Sequence, residues 1–117
     1  METIFIQYPI CTTCKKAKKY LQEKNIEFID RHIVENRLNK EELKNYIQRS
    51  GLPINKFFNT SGLLYREMQL KDKVKFLSED ELLDILSSNG MLVKRPILVT
   101  KDKVLVGFKE AEWNEIL

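Results

Sequence analysis

The chain has two cysteines, and they stand together as Cys11-Thr12-Thr13-Cys14. A thiol attacks only as its thiolate, and a free pKa of about 8.5 leaves a small fraction ionised at neutral pH. The surrounding sequence addresses that shortage. A short β-favouring run, Ile4-Phe5-Ile6, is broken by Tyr8-Pro9-Ile10 just before the pair. Apolar residues at helical spacing, Cys14, Ala17, Tyr20 and Leu21, begin just after it. The pair therefore lies where a strand gives way to a helix. The unpaired N–H groups and positive dipole end of a helix N-terminus both stabilise a thiolate. Lys15 and Lys16 add positive charge. Cys11 is placed to be the nucleophile. Cys14, one turn on and on the apolar face, is expected to be more buried and less ionised. Spacing i, i+3 turns both sulfurs to one side of the helix, the arrangement for a reversible intramolecular disulfide.

Two other readings compete. Buried cysteine is common as a space-filler, but the strand–CxxC–helix setting is specific. Structural zinc takes four ligands, and the chain offers two cysteines and one distant His32. No metal is expected. A second feature is Arg95-Pro96 before an apolar run. From the residues alone, the better reading of Pro96 is a plain strand start, with a cis bond as the alternative. The run Lys15, Lys16, Lys18 and Lys19 reads as the solvated face of the first helix, although it could attract an anionic substrate. Thr12, Thr13, Thr60 and Ser61 could donate hydrogen bonds to such a ligand, with turn and cap duty the commoner role. Tyr8, Tyr65 and Trp113 read first as packing residues. His32 shows no partner and is not assigned as a base.

The elements that must hold the pair follow from periodicity and punctuation. Thr3–Gln7 is a strand, Thr12–Lys24 a helix stopped at Asn25, and Glu27–Arg31 a second strand, together the length of a βαβ unit. Asn39 with Glu42 forms a capping box for a helix over Lys40–Ser50, closed by Gly51. Pro53 suits the first turn of a short helix toward Phe58, Asn59-Thr60-Ser61-Gly62 is a turn, and Leu63–Met68 is a short helix. Ser78 with Glu81 caps a further helix packed by Leu82, Leu83, Ile85 and Leu86 and stopped at Asn89-Gly90. Ile97–Thr100 and Val104–Val106 form a hairpin across Lys101-Asp102-Lys103. A last helix presents Trp113, Ile116 and Leu117 to the sheet. The fold class is α/β: a mixed sheet with helices on its faces.

Composition bounds the rest. At 117 residues the chain is one domain's worth, and 43% hydrophobic with 32% charged residues excludes a disordered tail. A formal charge of +3 permits anionic partners without demanding them, and no direct nucleic-acid binding is expected. No apolar run approaches the roughly 18 residues of a membrane span, and Met1-Glu2-Thr3-Ile4-Phe5-Ile6-Gln7 lacks the basic flank of a secretory leader. A cytoplasmic protein, without membrane attachment and monomeric, is expected.

With Cys11-Thr12-Thr13-Cys14-Lys15-Lys16-Ala17 after a strand, and Lys94-Arg95-Pro96-Ile97-Leu98-Val99 before a hairpin, the chain resembles the ArsC/Spx family of thioredoxin-like proteins. The likeness runs over essentially its whole length, through Asn59-Thr60-Ser61-Gly62 and Val106-Gly107. It implies a thioredoxin-like fold, a four-stranded mixed sheet flanked by helices, in one domain over 1–117. It also implies a helical insertion at about 36–92 between the second strand and the hairpin. It implies that Pro96 is cis and lies beside the CxxC. It further implies catalytic roles for Cys11, Cys14 and Arg95, with Thr12, Thr13, Lys15, Asn59, Pro96 and Lys109 as binding positions. No bound cofactor is implied. The expected reductant is an external thiol system of glutathione, glutaredoxin or thioredoxin, and the substrate a small thiol or an oxyanion such as arsenate. The chain departs from arsenate reductases where they carry further oxyanion arginines, having Asn59 at one such place and Phe108 or Lys109 at another. Spx-type regulators in the same family use their CxxC as a redox switch and bind the C-terminal domain of the RNA polymerase α subunit. They run on past the last helix and carry an arginine in the stretch matching Asn59–Gly62, whereas this sequence ends at Leu117. The leading expectation is an ArsC-like thiol oxidoreductase, and the alternative is an Spx-like regulator.

Overall fold

Strand β1, Ile4–Gln7, is the centre of the molecule, and alternation of its side chains divides the core in two. Phe5 faces one cluster, with Ala17, Tyr20, Leu21, Leu98, Leu105 and Trp113. Ile6 faces a larger one that includes Ile33, Leu43, Ile47, Phe57, Leu83, Leu86, Ile97 and Val99. The computed structural model describes residues 2–117. Met1, part of the N-terminal stretch read against a secretory leader, lies outside them.

Helix α1, Thr12–Glu23, follows β1 and buries Cys14, Ala17, Tyr20 and Leu21, the stripe expected from its spacing. Asn25 ends it with φ of 57°, a left-handed conformation that asparagine tolerates better than most residues. Strand β2, Ile29–His32, then pairs parallel to β1 with Ile4 opposite Ile29. It starts two residues later than the expected Glu27, because β1 begins at Ile4 and provides no paired partner for Glu27 or Phe28. Phe28 packs beside the first core instead.

Helix α2, Lys40–Ser50, begins at the Asn39–Glu42 capping box, and Gly51 closes it with φ of 72°. A 3-10 turn at Ile54–Phe57 leads to two short helices, α3 at Leu63–Glu67 and α4 at Leu70–Lys73. The second has no marker in the local sequence; Gln69, at φ of 55°, separates the two. Helix α5, Glu79–Ser88, starts at the Ser78–Glu81 capping box. Its end has a different cause from the one the sequence suggests. Gly90 is not left-handed: a Cβ there would sit 2.1 Å from the Ile33 carbonyl oxygen, so the residue is needed for close approach of two backbones.

Strands β3, Ile97–Val99, and β4, Val104–Val106, form the expected hairpin, and the sheet order is β2-β1-β3-β4. β3 runs antiparallel to β1 with Ile6 opposite Ile97. Helix α6, Glu110–Ile116, buries Trp113, whose indole N–H donates to the Gly107 carbonyl at 3.2 Å. Leu117 does not dock as expected; it lies beyond the helix and is 42% exposed. This is the thioredoxin-like α/β arrangement anticipated above. No helix among the described residues is long and apolar enough to cross a membrane.

Candidate functional site

Cys11 occupies the N-cap of α1 in extended conformation, held by its own backbone: its N–H donates to the Tyr8 carbonyl at 3.0 Å and its carbonyl accepts from Lys15 N–H at 3.0 Å. Its sulfur is half-buried, while Cys14 is fully buried. Burial works against a Cys11 thiolate. It is outweighed by the Cys14 amide, the Cys14 thiol and the Arg95 guanidinium, and the Cys11 pKa falls below its ordinary value. Cys14 moves the other way, pushed up to about 12, chiefly by burial. The Tyr8 backbone opposes that rise, and hydrogen bonding and charge from Cys11 add to it. The site thus favours the thiolate on Cys11 and the protonated form of Cys14.

Arg95 arrives from the far end of the chain through strand register. Extending the antiparallel Ile6–Ile97 pairing two residues outward sets Tyr8 level with Arg95. The guanidinium lies 5.1 Å from the Tyr8 ring centroid, a cation–π contact that orients it toward the thiol. Its Nη1 is buried without a hydrogen-bond partner. The Arg95–Pro96 peptide bond is cis, in place of the plain strand start that the residues alone favoured. Pro96 is buried, and its carbonyl accepts from Gly107 N–H at 2.8 Å.

The other expected site residues divide. Thr13, Arg95 and Lys109 line a groove of about 560 Å³ that Lys56, Lys94, Phe108 and Glu112 also border. Asn59 lies across Arg95 in a separate hollow of about 310 Å³ with Leu63, Leu64 and Met91, and its side-chain amide donates to the Met91 carbonyl at 3.4 Å. Thr12 and Lys15 are exposed on α1 and border neither space. Neither Lys15 nor Lys16 is among the groups that act on the Cys11 thiol, because both side chains point to solvent; the positive charge there is Arg95. His32 has partners after all: its Nδ1 accepts from the Val34 and Glu35 amides at 3.1 and 3.0 Å, which makes it a turn residue. Its ring also abuts Tyr8 edge-on, centroids 5.8 Å apart.

Tyr8, Lys56 and Lys94 are the residues that sequence reading missed. Tyr8 stands three positions before Cys11, but its contact with Arg95 depends on pairing across about ninety residues and leaves no local signal. Among the described residues no three His, Cys, Asp or Glu side chains gather at one place. What faces the two sulfurs is the Arg95 guanidinium.

A family model described as the ArsC family matches residues 6–116. The uncharacterized protein YusI of Bacillus subtilis is 51% identical over 115 residues, 98% of each chain. The global transcriptional regulator Spx of Streptococcus agalactiae is 30% identical over 117 residues, all of this chain and 83% of its own length. Among solved structures, an ArsC family related protein from Bacteroides fragilis superposes with a TM-score of 0.97 at 52% identity, covering 100% of this chain and 98% of that one. A possible arsenate reductase from Streptococcus mutans superposes with a TM-score of 0.89 at 39% identity, covering 98% of each.

Proposed function

The chain belongs to the ArsC family, and from that premise we propose that it is a thiol–disulfide redox protein with Cys11 as nucleophile and Cys14 as resolving thiol. The observation that carries this reading is the Cys11 sulfur flanked by Cys14 and Arg95 at the N-cap of α1. The Cys11 thiolate attacks a sulfur of an oxidised substrate, breaking its S–S bond and expelling the other sulfur as a thiolate, or attacks the arsenic of arsenate, displacing one oxygen as water. Arg95 holds the negative charge that develops on the leaving side. Once Cys11 is covalently occupied, it no longer accepts from Cys14 or repels its charge. Both of those contributions to the high Cys14 pKa disappear, while the Tyr8 backbone and Arg95 still favour the thiolate. Cys14 then attacks the Cys11 sulfur, releases the reduced substrate and closes the Cys11–Cys14 disulfide. An external thiol system, glutathione, glutaredoxin or thioredoxin, returns the pair to the dithiol. That cycle suits a reducing compartment such as the cytoplasm.

Arsenate makes a narrower demand. Arg95 is the guanidinium at the thiol, Asn59 supplies no charge, and Lys109 supplies charge without a bidentate fork. Arsenate and disulfide reduction assayed side by side, with each reductant, discriminate the substrates. Cys11→Ser abolishes turnover of both, and Cys14→Ser accumulates the mixed species, visible by mass. Full reductase activity in Cys11→Ser overturns the assignment.

Identity to Spx along the entire chain favours one second reading, a redox-sensing regulator that binds the RNA polymerase α C-terminal domain. A pull-down with that domain then gives a complex that depends on the redox state of Cys11 and Cys14. Absence of a complex in both states removes this reading.

A further inference from the structure

The groove beside the redox pair is larger and more cationic than an oxyanion requires. Its volume, about 560 Å³, lies within the range of sites that enclose organic ligands, roughly 300–1,000 Å³. Four cations border it: Lys56 from the 3-10 turn, Lys94 and Arg95 ahead of β3, and Lys109 ahead of α6. Glu112 is the one carboxylate on its rim. Lys56, Lys94 and Lys109 are all exposed and make no ion pair among the described residues. The groove cations come from three separate segments of the chain. Apolar surface also lines the groove: Phe108 is half-buried, and Leu52 is 39% exposed. Such a groove complements an extended ligand with several negative charges and some apolar surface.

We infer that the groove binds an acidic peptide segment carrying the disulfide to be reduced, with Lys56, Lys94 and Lys109 setting the preference. This deepens, and rests on, the thiol–disulfide reading above. The peptide's carboxylates lie against the lysines while its half-cystine reaches Cys11 past Arg95. Cys11 thiolate attacks that sulfur, the substrate S–S bond breaks, and the departing thiolate takes a proton from solvent. Cys14 then displaces the peptide as its thiolate. Two electrons pass from the protein dithiol to the substrate disulfide, leaving Cys11–Cys14 oxidised, and an external dithiol restores it.

The test uses the reduced full chain in single-turnover reactions with two short peptides of equal length. Each carries one central cysteine in a mixed disulfide with a neutral small thiol. One peptide is flanked by glutamates, the other by glutamines. The acidic peptide reacts about tenfold faster at low salt, the scale of two or three screened charge pairs. Molar salt shrinks that ratio toward one, because the Debye length falls to about 3 Å. Lys56→Gln and Lys94→Gln each reduce the ratio by about two- to threefold, and the double variant Lys56→Glu/Lys94→Glu reverses it. Equal rates for the two peptides in the wild type, or a ratio untouched by these substitutions, overturn the inference while leaving the redox assignment standing. Failure of Cys11 to exchange with either peptide overturns the redox assignment, and this inference falls with it.

Discussion

At Cys11, a thiol whose pKa falls below its ordinary value sits in a half-buried place, where burial alone would suppress its charge. The compensation comes from groups whose hydrogen bonds point at the sulfur, the Cys14 amide and thiol, and from the Arg95 guanidinium. Tyr8 touches every part of this arrangement: its carbonyl accepts from Cys11 N–H, its backbone hydrogen-bonds the Cys14 thiol, and its ring carries Arg95. An alkylation profile against pH reads the result directly. The rate with iodoacetamide has its midpoint below the value of about 8.5 for a free thiol. Arg95→Gln moves that midpoint upward and slows alkylation at neutral pH several-fold. Tyr8→Ala moves it in the same direction by releasing the guanidinium, and Tyr8→Phe keeps the wild-type profile because the ring face is retained. A wild-type midpoint in Tyr8→Ala shows that Arg95 needs no aromatic support. The CxxC and its place at a helix start were legible from local order alone, and the Arg95–Tyr8 contact was not.

Among the elements, α2 shows how one local signal is reused over a distance. Glu42 closes the Asn39 capping box through its Oε1 and also accepts two hydrogen bonds from Arg31, at 2.6 and 2.9 Å. The helix start is thereby tied to β2. The Arg31 hydrogen bond, against the opposing effect of burial and with help from the Asn39 amide, holds the Glu42 carboxyl below its ordinary value of 4.5. A carboxyl whose folded pKa is depressed contributes stability that is complete above its unfolded value. That contribution is lost as pH falls through the folded one. Glu42→Gln is therefore expected to cost about 1–2 kcal/mol at neutral pH. The variant converges with the wild type in acid, as measured by denaturant titration at pH 7 and pH 3. Both capping boxes were readable because a cap spans four consecutive residues. The start of β2, the separate α4 and the exposed Leu117 were not, since each depends on what the rest of the sheet or core leaves available.

For the molecule as a whole, the two faces of one short sheet support different structures. The larger core carries α2 and α5, and the smaller carries α1 and α6 through Phe5, Leu21, Leu98 and Trp113. Trp113 is fully buried, and its indole donates to Gly107, so α6 also fixes the segment that borders the groove. Trp113→Ala is expected to lower unfolding free energy by about 3–5 kcal/mol, the usual cost of emptying so large a core position. Trp113→Phe costs less, because it keeps a ring in the cavity, and what it does cost includes the lost hydrogen bond to Gly107. Urea denaturation followed by far-UV circular dichroism measures both, and unaltered stability in Trp113→Ala would show that α6 is not part of the cooperative core.

By itself the sequence determined the cysteine pair, its position at a strand–helix junction, the two capped helices and the terminal hairpin. All of these depend on residues within a few positions of one another, where periodicity, caps and turn chemistry are written directly in the chain. Tertiary structure decided which charge reaches Cys11. Lys15 and Lys16 are neighbours in sequence but point to solvent, whereas Arg95 arrives through the antiparallel register of β1 with β3. It likewise gathered Lys56, Lys94 and Lys109 around one groove. Side-chain direction and long-range pairing are set by burial of both sheet faces at once, a constraint that no local stretch of sequence contains.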